Sequence, residues 1–152
     1  MQPQHDADFV QREGDATIIL EGSNYVMGAD IGCPGIYPYQ DATLTIKGSG
    51  SLEALGNYNA PGIGSGPEHK GYDYAGNVVI EGGTIIARGG MDAPGIGTYD
   101  SEIDDIIIKS TVGSVKAVKG SKETYQSIGL AKEYRGKFRS IIIEPGAKVV
   151  QE

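Results

Sequence analysis

Short runs of β-branched and aliphatic residues recur along the chain: T-I-I-L at 17–20, T-L-T-I at 43–46, N-V-V-I at 77–80, D-I-I-I at 105–108 and S-I-I-I at 140–143. In the middle three units a second run comes next, G-S-L-E-A-L-G at 50–56, G-T-I-I-A-R-G at 83–89 and G-S-V-K-A-V-K-G at 113–120. Side chains two apart on a strand share a face. The first runs therefore predict inward columns of Ile18/Leu20, Leu44/Ile46, Val78/Ile80, Ile106/Ile108 and Ile141/Ile143. The second runs predict Leu52/Ala54, Ile85/Ala87 and Val115/Ala117. The alternate positions hold Thr45, Lys47, Glu53, Glu81, Arg88, Lys109 and Lys116, with Ile86, Ile107 and Ile142 as exceptions. Each unit is thus a pair of strands with one aliphatic face.

A common word closes the units: C-P-G-I at 33–36, A-P-G-I-G at 60–64, A-P-G-I-G again at 93–97, and a degenerate S-I-G at 127–129. The pattern predicts a corner, with Pro61 and Pro94 presetting φ and Gly62 and Gly95 taking the left-handed second position of a type II turn. Ile36, Ile63, Ile96 and Ile128 would point from the corner into the core. Gly48-Ser49-Gly50 and Gly82-Gly83 would turn the chain between the first and second strands. Cys33 fills the slot of Ala60 and Ala93, which reads as a small packed residue rather than a nucleophile. A period of 26 to 35 residues, with the length variation confined to the loop after each corner, marks a solenoid. The expectation is an all-β fold, a single-stranded right-handed parallel β-helix of about four to five coils over residues 15–152, after a polar leader at 1–14.

The succession A-T-I-I-L-E-G-S-N, C-P-G-I-Y-P-Y-Q-D-A-T-L-T-I-K-G-S-G-S-L-E-A-L-G and N-V-V-I-E-G-G-T-I-I-A-R-G-G, closed by A-P-G-I-G, resembles the glycine-rich repeat β-helix domains of bacterial secreted and surface proteins. Their corners usually read A-G-I-G-G-G. The resemblance spans about residues 15–150, and it implies a carbohydrate-binding or adhesin-like role, secreted or at the cell surface. This chain departs from that pattern where Pro replaces the first corner glycine in three coils, and where Lys and Arg crowd the last two coils.

Composition agrees with the β reading: 24 glycines in 152 residues, two Phe, nine Tyr and no Trp. No apolar run approaches the ~20 residues of a membrane-spanning helix, so no membrane insertion is expected. The first ten residues lack the basic start and apolar core of a signal peptide. The net charge of −7 is uneven: residues 1–105 hold 16 Asp/Glu against 4 Lys/Arg, whereas residues 106–152 hold 9 Lys/Arg against 4 Asp/Glu. The basic segment carries no nucleic-acid motif and the remaining surface would repel phosphate, so a nucleic-acid partner is not expected.

Candidate chemistry lies in the unequal loops after each corner. Tyr37, Tyr39, Tyr72, Tyr74 and Tyr99 fall there, and in-register stacking would align them along one edge of the rod. Aromatic faces beside Asp, Asn and Lys suit sugar rings, which predicts a glycan or polysaccharide ligand; the same tyrosines could instead lie as a lid over the core. The acidic loop at 100–105, with Asp100, Glu102, Asp104 and Asp105 and with Asp92 nearby, is the candidate Ca2+ site, although it lacks the rhythm of known Ca2+ loops. His5 and His69 lie outside any nucleophile or zinc spacing. A polysaccharide lyase would need Lys or Arg beside clustered carboxylates, which spacing alone does not reveal. The readings are therefore a non-catalytic glycan-binding module, a ligand-free stalk, and, third, a lyase-like enzyme. The aliphatic C-terminal end, I-I-I-E-P-G-A-K-V-V-Q-E, predicts a covering partner: a neighbouring domain, a second copy or a longer chain.

Overall fold

A computed structural model describes residues 9–10, 14–68, 71 and 74–152. Its strands form three sheets running the length of a rod. Sheet B stacks β2 (Ala16–Leu20), β5 (Thr43–Gly48), β9 (Asn77–Ile80), β12 (Glu102–Ile108) and β15 (Lys137–Ile143), with β8 (Tyr74–Ala75) pairing the start of β12. Sheet C stacks β3 (Ser23–Met27), β6 (Ser51–Leu55), β10 (Thr84–Arg88), β13 (Ser114–Val118) and β16 (Val149–Gln151). Sheet A stacks β1 (Phe9–Val10), β4 (Ile36–Tyr37), β7 (Ile63–Ser65), β11 (Ile96–Thr98) and β14 (Ile128–Leu130). The chain visits B, C and A in turn, and every strand pairs in parallel with its equivalent one coil away. The molecule is an all-β parallel solenoid of about four turns.

The side-chain parity places the core where the sequence puts it. Leu52, Ile85 and Val115 lie in one register column and Ala54, Ala87 and Ala117 in the next, all buried. Val78/Ile80 align with Leu44/Ile46 on one side and Ile106/Ile108 on the other. Burying one such side chain is worth about 1.5–3 kcal/mol, so a narrow aliphatic column suffices to hold each rung. The first coil departs from expectation. Ala16 and Ile18, rather than Ile18 and Leu20, pair with Leu44 and Ile46, so the strand sits two residues further along than read. Parity survives that shift because two residues return a side chain to the same face.

The corner differs from expectation in kind. It is a third sheet, and Phe9–Val10 of the expected leader joins it by pairing with Ile36–Tyr37. Ile36, Ile63, Ile96 and Ile128 are buried as expected, and Ile128 keeps the register although its coil lacks Pro-Gly. The positive φ does not fall on Gly62 and Gly95, so the type II assignment is wrong. It falls two residues later, at Gly64 (+142°) and Gly97 (+145°). Gly62 is required by close approach instead: a Cβ there would stand 2.5 Å from the Ala54 carbonyl oxygen and 2.8 Å from the Arg88 nitrogen. Cys33 is buried, and its carbonyl accepts a bond from Asn57 at 3.0 Å. The Ala60 and Ala93 carbonyls accept from Gly90 and Gly120 in the same way, both at 2.9 Å, so the three positions are equivalent.

Candidate functional site

The turns from sheet A to sheet B stack along one edge of the rod, and they and the strands that flank them carry most of the residues predicted to form a site. Tyr37 is buried, and its hydroxyl donates to the Tyr74 carbonyl at 2.6 Å. It therefore supports the edge from beneath instead of offering a face to a ligand. Tyr39 is partly exposed and Tyr74 half exposed. Tyr72 lies outside the described residues, as do His5 and His69. Tyr99 is partly buried. Burial, then the Asp92 and Asp100 carboxylates, hold its phenol above the usual range against the opposing pull of Arg135, so it stays a neutral donor.

A cleft of about 240 Å³ opens on this edge between Glu68, Tyr74, Asp100, Ser101, Glu102, Tyr134, Gly136 and Lys137. A smaller hollow of about 150 Å³, lined by Gln40, Asp41, Tyr74, Ala75, Glu102 and Asp104, shares Tyr74 and Glu102 with it. Tyr134 stands 90% exposed on the rim. The floor is fixed: the Ser101 hydroxyl donates to the Gly66 carbonyl at 2.8 Å, and the Ser101 amide donates to Thr98 Oγ1 at 3.1 Å. Asp100 Oδ1 accepts from the Glu68 amide at 2.9 Å, tying one turn to the next. Glu68 and Lys137 were not singled out by sequence reasoning, since only the stacking of coils brings them to this cleft. A larger hollow, about 310 Å³, lies on the outer face of sheet C around Tyr25, Ser51, Glu53 and Ile86. It gathers one aromatic and one carboxylate, and Glu53 is engaged by Arg88 at 2.9 Å. The edge cleft gathers far more chemistry.

The acidic segment is a strand, not a loop. Glu102 to Asp105 belong to β12, whose Ile103 and Ile106 are both buried with Asp104 and Asp105 between them. Strict alternation breaks at this point. Glu102 pairs with Lys137 (3.6 Å) and Asp104 with Arg139 (3.7 Å). Asp105 receives two bonds from Arg139 and one from Ser140, all at 2.8 Å. Arg139 also donates to Asn77 Oδ1 at 2.9 Å, and Asn77 in turn donates to Thr43 Oγ1 at 3.2 Å. A polar ladder thus climbs the rod beside the aliphatic one. The candidate Ca2+ ligands are spread along it: Asp92 and Asp100 lie by Tyr99, Glu102 shares the cleft with Asp100, and Asp104 and Asp105 face Arg139. Among the described residues no three acidic, His or Cys side chains gather where a metal ion could sit. Conversely, Lys137 and Arg139 do stand beside carboxylates, an arrangement that sequence spacing hid.

Arg139 hydrogen bonding holds the Asp105 carboxyl below its usual range. A depressed carboxylate stabilises the fold above its unfolded value of about 3.9, and that contribution is lost as pH falls through the lower folded value. Asp105→Asn is therefore expected to melt earlier than the parent at pH 7. The gap should close as the pH is taken from about 5 down to 2. Paired thermal melts at pH 7 and pH 2 check this, and a gap unchanged at pH 2 would show that charge is not its source.

No protein-family model, curated protein or solved structure matches the chain.

Proposed function

We propose that the chain is a non-catalytic glycan-binding module whose ligand lies along the edge cleft, in the manner of an adhesin displayed outside a bacterial cell. The observation that carries this reading is the pair of exposed tyrosines, Tyr74 and Tyr134, on a cleft otherwise lined by carboxylates and one Lys. Tyrosine faces accept the apolar C–H face of a sugar, and carboxylates accept its hydroxyl hydrogens. The rigid rungs beneath leave little ordering to be done on binding. Glu68, Asp100 and Glu102 outnumber Lys137 in the cleft, so a neutral or amine-bearing polysaccharide suits it and a polyuronate does not.

Affinity electrophoresis against neutral, amino and uronic polysaccharides tests this. Binding to a neutral or amino polymer is expected, weakened roughly tenfold by Tyr74→Ala or by Tyr134→Ala. Tyr25→Ala, on the outer face of sheet C, should leave binding unchanged. No binding to any glycan would support a plain stalk. Release of unsaturated sugars from a polyuronate would instead favour the lyase reading, with Lys137 or Arg139 as the basic group.

A further inference from the structure

We infer that the two ends of the solenoid bind each other, the last coil of one copy seating on the first coil of another. This inference is independent of the glycan reading. All three sheets terminate in the same sense, with β1, β2 and β3 at one end and β14, β15 and β16 at the other. Among the described residues each of these terminal strands is paired with a strand on one side only, and such an edge is a ready template for another strand. Head-to-tail stacking keeps every strand parallel and continues the existing register. Ile141 and Ile143 end the columns that begin with Ala16 and Ile18, so these would meet across the junction.

Among the described residues, apolar side chains are only partly covered at both ends. At the C-terminal end Phe138, Ile141 and Val149 are only partly covered and Ile143 is 36% exposed. At the N-terminal end Ile18 and Val26 are only partly covered, beside an apolar hollow of about 150 Å³ that the buried Leu20, Ile36 and Leu52 also line. Asn24 is the polar member of its inward column there, with its amide satisfied by the Glu21 and Ser51 carbonyls at 3.0 and 3.1 Å.

Charge selects the pairing of unlike ends. The first coil, residues 15–42, carries Asp15, Glu21, Asp30 and Asp41 and no Lys or Arg. In the last coil, residues 131–152, Lys132, Arg135, Lys137, Arg139 and Lys148 outnumber the glutamates. Unlike ends attract and like ends repel. A contact between different surfaces of one molecule does not close on itself unless the rotation brings it round, so the product is an open stack.

Sedimentation velocity of the full chain over a concentration series, at low and high salt, tests the inference. Species beyond the dimer should grow with concentration and recede with salt. Ile143→Glu blocks one end and Asn24→Arg the other, each placing a charge that the opposite end repels. Each variant alone should associate more than about tenfold more weakly, while keeping the parent circular dichroism and the melting temperature that the parent shows when diluted to monomer. Mixed, the two blocked variants should form a dimer through their intact ends and stop there. A parent chain that stays monomeric at every concentration overturns the proposal and leaves the C-terminal end to a different occupant. Growth that halts at a dimer overturns it too, because that is the mark of like ends paired, and so does a mixture of blocked variants that fails to associate.

Discussion

Gly97→Ala is expected to cost about 4 kcal/mol or more, a large share of a total stability on the order of 5–15 kcal/mol. Two separate costs add at this position. Its φ of +145° is a conformation that only glycine adopts comfortably. A Cβ there would also run into the carbonyl oxygen of Gly129, the residue paired with Gly97 one coil further on, and would stand 2.9 Å from its nitrogen. Relief would require β11 and β14 to separate, which sacrifices rung-to-rung hydrogen bonds such as Ala131 N–H to the Thr98 carbonyl. Gly146→Ala is the control. Its φ is +91°, but nothing lies within 4 Å of the added carbon, so only conformational strain of about 1–2 kcal/mol is expected. Urea unfolding followed by circular dichroism measures both. Equal losses would mean that the neighbouring backbone has no part in the requirement for glycine.

Gly64, Gly97 and Gly129 also explain why one sheet of the fold was hidden in the sequence. The long runs of sheets B and C are legible because β-branched residues alternate with polar ones over four or five positions. Sheet A is built from Ile-Gly-Ser, Ile-Gly-Thr and Ile-Gly-Leu. Three residues are too few to show a period, and glycine at the centre reads as a turn. Gly64 and Gly97 sit in strands because the next coil's backbone approaches too closely there for any side chain, and at Gly129 the space is taken by the Gln126 side chain. The two-residue slip of β2 has a similar origin, since Ala16, Ile18 and Leu20 are all apolar at the inward spacing and nothing in the run fixes which two stand opposite Leu44 and Ile46.

The edge cleft was half legible. Tyr74, Asp100 and Glu102 could be placed on it because they come after the corner word. Lys137 comes after a corner that is degenerate, so nothing local marked its position. Arg139 lies 34 residues from Asp105, and only the register of β12 against β15 makes them neighbours. Tyr37 could not be told from the exposed tyrosines, because a side chain with an apolar body and a polar tip serves equally as a surface platform or as a buried strut. Its bond to the Tyr74 carbonyl identifies the strut.

Ile106→Ala should be the most damaging of the core truncations at about 3–4 kcal/mol, near the middle of the range for such changes. Ile106 is fully buried, with Val78 on one side and Ile141 on the other in the same column. The spacing of the rungs is fixed by backbone hydrogen bonds at about 4.8 Å, so the walls cannot collapse into the space left behind. The cavity would also weaken two coil interfaces at once, because each rung of a solenoid is held only by its neighbours. Ile107, one residue on, belongs to the outward column and is only partly buried. Ile107→Ala should therefore cost less than about 1 kcal/mol. Ile141, in the last coil, is covered from one side, so Ile141→Ala should fall between the two. Chemical denaturation of the three variants ranks them. A loss at position 107 equal to that at 106 would mean that the inward and outward faces of sheet B are wrongly assigned. A loss at 141 equal to that at 106 would mean instead that the last coil is covered in solution, as it would be in a head-to-tail stack, and dilution would then restore the difference.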